Sequence, residues 1–191
     1  MGSGNADAQC LFRTRAEWRQ WLHENHNKES EIWFVFPLKA SGETAVSYND
    51  AVEEALCFGW IDSTIRSLNE KYKIQRFTPR NPKSTYSQSN KERIRWLADN
   101  GLIHPSVIDS VSHILKEQFV CPGDILDAIR QDENAWEHFQ RFSESYKRIR
   151  IAYIDSARES REEFEKRLNH FIDKTRNSKL IAGYGGIEKY Y

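Results

Sequence analysis

The chain of 191 residues is predicted to fold as α+β, with a small antiparallel sheet and flanking helices in its first half and helices alone in its second. Three observations predict it. Short β-prone runs occur only before residue 80. Two of them, 60–67 and 72–78, are separated by a four-residue turn of hairpin length, Leu68-Asn69-Glu70-Lys71. From Ser89 onward the apolar residues recur at helical spacing.

The elements follow in order. Thr14-x-x-Glu17 is a capping box that starts a helix whose Trp18, Trp21 and Leu22 share one face. Ile32 to Phe36 is a run of large β-formers stopped by Pro37, predicting a strand buried on both faces. After Ser41-Gly42-Glu43 a short strand is expected to return through Thr44 to Ser47. Ser47 or Asn49 then caps a helix over 50–58, with Ala51, Ala55 and Leu56 inward and Gly59 at its end. The loop beyond Pro79, Arg80-Asn81-Pro82-Lys83-Ser84-Thr85-Tyr86-Ser87, holds two prolines that forbid regular structure, and polar side chains that offer hydrogen bonds. Helices are expected on Ile94, Leu97 and Ala98; on Val107, Val111, Ile114 and Leu115; after Pro122-Gly123; and after the cap Asp132. The period from Tyr146 to Phe171 is one long helix or two meeting near Ser160. Domain limits follow: 1–10 a polar leader or tag remnant outside the fold, 11–95 an α+β unit, 96–180 a helical unit packed on it, and 181–191 a tail.

Twenty-eight Lys and Arg balance 28 Asp and Glu, which argues against a protein that coats nucleic acid or a membrane surface. Cys10, Cys57 and Cys121 form no C-x-x-C pair and lie at zinc spacing from no histidine, as expected of reduced thiols in a cytoplasmic protein. No apolar run approaches the ~20 residues of a membrane span. Phosphate-binding glycine loops and the motifs of serine hydrolases and zinc proteases are absent.

The neutral total conceals an asymmetry. Residues 64–95 contain nine Lys or Arg and two acids, whereas residues 43–63 contain five acids and no base. Two arrangements are open. In one, Asp50, Glu53 and Glu54 meet the cations of the hairpin in surface ion pairs. In the other, Arg76, Arg80, Lys83 and Arg93, with the hydroxyls of Ser84 and Ser87, line a cationic groove near a helix N-terminus, where an anion is the natural occupant.

The segments Ala55-Leu56-Cys57-Phe58-Gly59-Trp60-Ile61-Asp62 and Phe77-Thr78-Pro79-Arg80-Asn81-Pro82-Lys83-Ser84-Thr85-Tyr86-Ser87 with Asn90, followed by Ala157-Arg158-Glu159-Ser160-Arg161, resemble the YdeI/OmpD-associated, or bacteriocin-protection, family. Tyr86 stands where that family usually has Trp. The resemblance implies a YdhG-like α+β unit followed by helices, and a link to envelope stress and resistance to cationic peptides, but no reaction.

The expected ligand-binding set is Trp60, Asp62, Arg76, Arg80, Lys83, Ser84, Tyr86, Ser87 and Asn90. The cations, hydroxyls and amide hold a small anion or an acidic protein segment, Trp60 and Tyr86 wall the pocket, and Asp62 orients Arg76 or Arg80. No catalytic residue, cofactor, metal, nucleic acid or membrane is called for. Two alternatives stand beside this binding protein. One is an enzyme using Asp62 or Cys57 on a small anionic substrate, although a thiol at a helix C-terminus has its pKa raised. The other is an iron-handling protein with metal on Asp50, Glu53 and Glu54. His23 and His26, three apart, read as surface helix histidines rather than as a metal site, and the six histidines share no motif.

Overall fold

The computed structural model describes residues 9–182. Contacts divide the chain into two compact units, one comprising the residues up to Thr85 with Leu97–Leu115, the other Tyr86–Trp96 with the residues from Lys116 on.

In the first unit, strand β1 (Gln9–Cys10) precedes helix α1 (Arg15–Asn25), strand β2 (Ile32–Pro37), a 3-10 turn (Lys39–Ser41), helix α2 (Tyr48–Cys57) and the hairpin of β3 (Trp60–Ser67) and β4 (Tyr72–Pro79). The sheet order is β1-β2-β4-β3. It is mixed rather than antiparallel, because Gln9 and Cys10 run parallel to Trp33 and Phe34. Gln9 and Cys10, expected outside the fold, are therefore part of it. Two residues are too few to show a period, which is why the strand was not legible. The strand expected over 44–47 does not form. β1 and β4 occupy both edges of β2, so the returning segment makes a single backbone bond, Val46 N–H to Phe12 O at 3.3 Å, before Ser47 caps α2.

The capping box of α1 forms as predicted, with Glu17 N–H donating to Thr14 Oγ1 and Thr14 N–H to Glu17 Oε2. It aims Trp18 and Leu22 inward. The Trp18 ring meets Phe34 and Phe77 edge-on, and its Nε1 donates to Ala51 O at 3.0 Å, joining α1, α2 and the sheet through one fully buried side chain. Burial of a tryptophan without exposing an unpaired N–H requires such an acceptor. The opposite sheet face carries Trp33, Val35 and Ile74, with Leu11 and Tyr72 against them. Gly59 ends α2 at φ +73°, a conformation that favours glycine, and its carbonyl accepts from Arg80 N–H at 2.9 Å.

Of the hydrophobic face predicted for helix α4 (Pro105–Lys116), Val107, Val111 and Ile114 are buried in this unit and Leu115 is exposed. His104 N–H donates to Cys57 O and Arg19 donates to Leu102 O, both at 2.9 Å. These bonds draw residues 97–115 to the first unit, so the units do not divide at residue 95.

The second unit takes most of helix α3 (Gln88–Asp99) and adds α5 (Gly123–Arg130), α6 (Glu133–Arg141), α7 (Glu144–Asp155) and α8 (Arg161–Arg176). Asp132, Ser143 and Ser160 cap the last three, and the Ser160 cap resolves the long period into two helices. Ile125, Ile129, Phe139, Tyr146, Ile151, Ile154 and Phe171 form the core. Buried Glu92 accepts from Arg148 through two bonds of 2.8 Å, from Arg95 at 2.8 Å and from Gln88 at 2.7 Å.

Candidate functional site

The three acids of α2 are neutralised, and not by the hairpin. Asp50, Glu53 and Glu54 lie on α2, where the 3.6-residue period turns the two glutamates inward to 1% and 2% exposure. Arg15 of α1 donates to Asp50 at 2.8 Å, to Glu53 at 2.9 Å and to Glu54, while Arg19 pairs with Glu54 at 2.6 Å. Burial works against the Arg15 charge, and Glu54 and Glu53 more than restore it, raising its pKa. A carboxylate cluster filled by two guanidinium groups leaves no room for a cation, which overturns the iron reading. Among the described residues no group of three or more metal-ligating side chains could hold an ion.

The expected binding set is dispersed. Trp60 is 1% exposed, donates to His26 O at 3.0 Å and packs edge-on against Trp21, so it is core and walls no pocket. Asp62 holds neither arginine assigned to it. It is opposite Phe77, one residue along from Arg76, and alternate residues of a strand point to opposite faces. Asp62 instead accepts from Tyr48 Oη at 2.7 Å and Gln75 Nε2 at 3.3 Å. Arg76 pairs with Glu31 through both Nε and Nη2. Arg80 donates to the carbonyls of Ser84 and Thr85 and so folds the loop onto itself. Lys83 is exposed. In the second unit, Ser87 Oγ accepts from Asn90 N–H at 3.3 Å, and Asn90 Oδ1 from Arg93 at 2.9 Å; Tyr86 is half-buried there.

The basic segment is therefore divided. Arg76, Lys91 and Arg95 have carboxylate partners. No described ion pair joins Arg66, Lys71, Lys73 or Lys83. Arg66 lies 4.6 Å over the Trp33 ring. The seven steps of β4 from Tyr72 to Pro79 cover roughly 24 Å at about 3.4 Å per residue, so Lys71 and Lys83 sit at opposite ends of the hairpin.

Two features of the first unit escape sequence reasoning. The first is a groove of about 450 Å3 lined by Phe36, Tyr48, Ile65, Lys73, Gln75 and Glu43, among others; only strand register could have revealed it. The second is a histidine cluster. The His104 ring lies 4.9 Å from that of His26 and 5.8 Å from that of His23, and it stacks on Phe58 at 5.0 Å. Ser106 Oγ is 2.7 Å from His104 Nδ1 and 3.5 Å from His26 Nε2. Burial lowers the His104 pKa, and His26, His23 and Arg19 lower it further.

Cys57 is fully buried. Burial first, and then the Glu54 carboxylate, push its thiol up to about 12 against a weaker pull from Arg19.

Residues 10–110 match the model of a family described as a domain of unknown function (DUF8412). Residues 118–177 match the model described as Bacteriocin-protection, YdeI or OmpD-Associated. The motif around Ser160 falls within the second match, and the two longer motifs at 55–62 and 77–90 fall within the first. No curated protein and no solved structure matches the chain.

Proposed function

The chain belongs to the DUF8412 family, whose model covers more than half of it, and its helical unit matches the YdeI/OmpD-associated model; from this premise we propose a non-enzymatic binding protein that takes a small anion or an acidic protein segment. One observation carries the reading. The carboxylates of α2 are consumed by Arg15 and Arg19 and Glu31 by Arg76, so Arg66, Lys71, Lys73 and Lys83 of the hairpin and the following loop have no ion-pair partner among the described residues. Lys83 supplies the charge at the loop, with the hydroxyl of Ser84 beside it, while Arg80 positions the loop by holding its carbonyls. Sequestered Cys57 and an Asp62 bonded to neutral groups support binding rather than turnover. Three unpaired thiols support a reducing, cytoplasmic compartment. The name of the family matched by the helical unit supports a link to bacteriocin protection.

The test is a thermal-shift and calorimetric titration with phosphate, sulfate and a polyglutamate peptide. We expect stabilisation that falls with added salt and is lost in Lys83→Ala with the unliganded Tm unchanged. Arg80→Ala is expected to lower both binding and Tm, because the loop loses two backbone contacts. Binding that survives Lys83→Ala would overturn the assignment to this loop.

A further inference from the structure

On the sheet face that carries Phe34 and Phe77, strand register sets three successive rows: Ile32-Phe77-Asp62, Phe34-Gln75-Ile65 and Phe36-Lys73-Ser67. Trp18 touches Phe34 and Phe77, and beyond them the face opens into the groove of about 450 Å3. Its apolar wall is the Phe36 ring, stacked 4.4 Å from Phe34, with the Tyr48 ring 6.2 Å away and Ile65 alongside. Tyr48 is 46% and Ile65 58% exposed, large apolar surfaces left in water at one place.

The polar groups of this groove are unevenly satisfied. Glu43 is held by Tyr72 Oη and lies 3.6 Å from Arg13. Asp62, beside the groove, is bonded to the neutral Tyr48 hydroxyl and Gln75 amide, and among the described residues it has no ion pair. Gln75, 4% exposed, also donates to Ser63 O at 3.1 Å, so its Nε2 is fixed and Asp62 is held in place from two sides. At the other end Lys73 is exposed and has no ion pair among the described residues. Lys73 and Glu43 thus line the groove with its apolar wall, Glu43 being held by Tyr72 and Arg13, and Asp62 borders it through its bonds to the lining residues Tyr48 and Gln75.

We propose that this groove binds a short peptide of two or three residues, with its α-ammonium at Asp62, its carboxylate at Lys73 and an apolar side chain on Phe36, Tyr48 and Ile65. Length follows from the register. Lys73 is four residues along β4 from Phe77, the partner of Asp62, which sets the two rows roughly 13 Å apart at about 3.3 Å per residue. The two side chains reach part of that way. A single α-amino acid carries both charges on one carbon and cannot span the remainder, whereas an extended tripeptide covers about 10 Å. The site is separate from the cationic loop and stands or falls without it.

The experiment is a titration of the full chain with the tripeptide alanyl-phenylalanyl-alanine, followed by amide chemical shifts and calorimetry, using the free, N-acetylated and C-amidated forms. We expect shifts centred on Ile65, Lys73 and Gln75, and at least a tenfold loss of affinity on blocking either terminus. Asp62→Asn, which keeps an acceptor for Tyr48, should abolish the effect of acetylation alone, and Lys73→Met that of amidation alone. Lys83→Ala should change neither. No binding at millimolar peptide, equal binding of blocked forms, or shifts that map elsewhere would overturn the proposal.

Discussion

Two oppositely charged stretches, 43–63 and 64–95, are contiguous in the chain, yet the fold treats them differently. Three of the five acids of the first, Asp50, Glu53 and Glu54, lie in α2 and end under two arginines of α1, with Glu53 and Glu54 almost without solvent contact. Of the bases in the second, four remain without a described carboxylate. A charge run in a sequence is therefore no measure of surface potential. What decides is whether a complementary group on another element reaches it, as Arg15 and Arg19 reach α2.

The comparison breaks first at Arg15. Removing it takes an ion pair from each of the buried Glu53 and Glu54, of which Glu54 keeps Arg19, and an uncompensated buried charge typically costs about 3–5 kcal/mol. Arg15 is itself one-third exposed, so water relieves part of this, and Arg15→Ala is expected to cost about 3 kcal/mol in urea unfolding. A loss under about 1 kcal/mol would show that the acids of α2 are solvated after all. The same argument applied to the second unit gives a somewhat smaller effect. Glu92→Gln keeps the shape but strands Arg148 and Arg95, both partly exposed, and should cost about 2 kcal/mol.

Local structure was largely legible and long-range pairing was not. The Thr14 box, the Ser47 and Asp132 caps, the hairpin turn and the stop at Gly59 are written in residues within four positions of one another, and each formed as read. Which strand covers which edge is a competition between distant segments, so the parallel strand at Gln9–Cys10 and the missing strand at 44–47 were beyond local reading. The candidate site failed in the same way. Trp60 carried the aromatic expected of a pocket wall, but its N–H found His26 O in the interior. Asp62, expected to orient Arg76 or Arg80, has as its partners Tyr48 and Gln75, which long-range pairing brings to it. His104 meets His26 across 78 positions, a distance no motif spans.

That histidine contact supplies a smaller test of what happens when like charges converge. His104 has a folded pKa below its unfolded value near 6.5 because burial, His26, His23 and Arg19 all disfavour the imidazolium. The unfolded chain therefore binds more protons, so the stability linked to this group is present above about pH 6.5 and is lost as pH falls below it. His104→Gln should flatten the dependence of the urea midpoint on pH between about 7 and 5 relative to the parent. An unaltered slope would mean that the imidazoles do not interact.

The smallest effect sharpens the comparison most. Lys83 has the same magnitude of charge as the α2 acids, but it is exposed and touches no carboxylate. Surface substitutions of this kind change stability by less than about 0.5 kcal/mol, so Lys83→Ala should unfold in urea with the parent midpoint. Set beside Arg15→Ala, it compares two single-cation removals, one from a pair the fold depends on and one from a residue held only by its backbone. If Lys83→Ala is destabilising by more than about 1 kcal/mol, the loop cation has a structural partner in solution, and the positive surplus is internal on both sides of the hairpin. If it is neutral, the fold does not account for that charge, and a ligand is the natural reason for a loop that Arg80 holds in place around it.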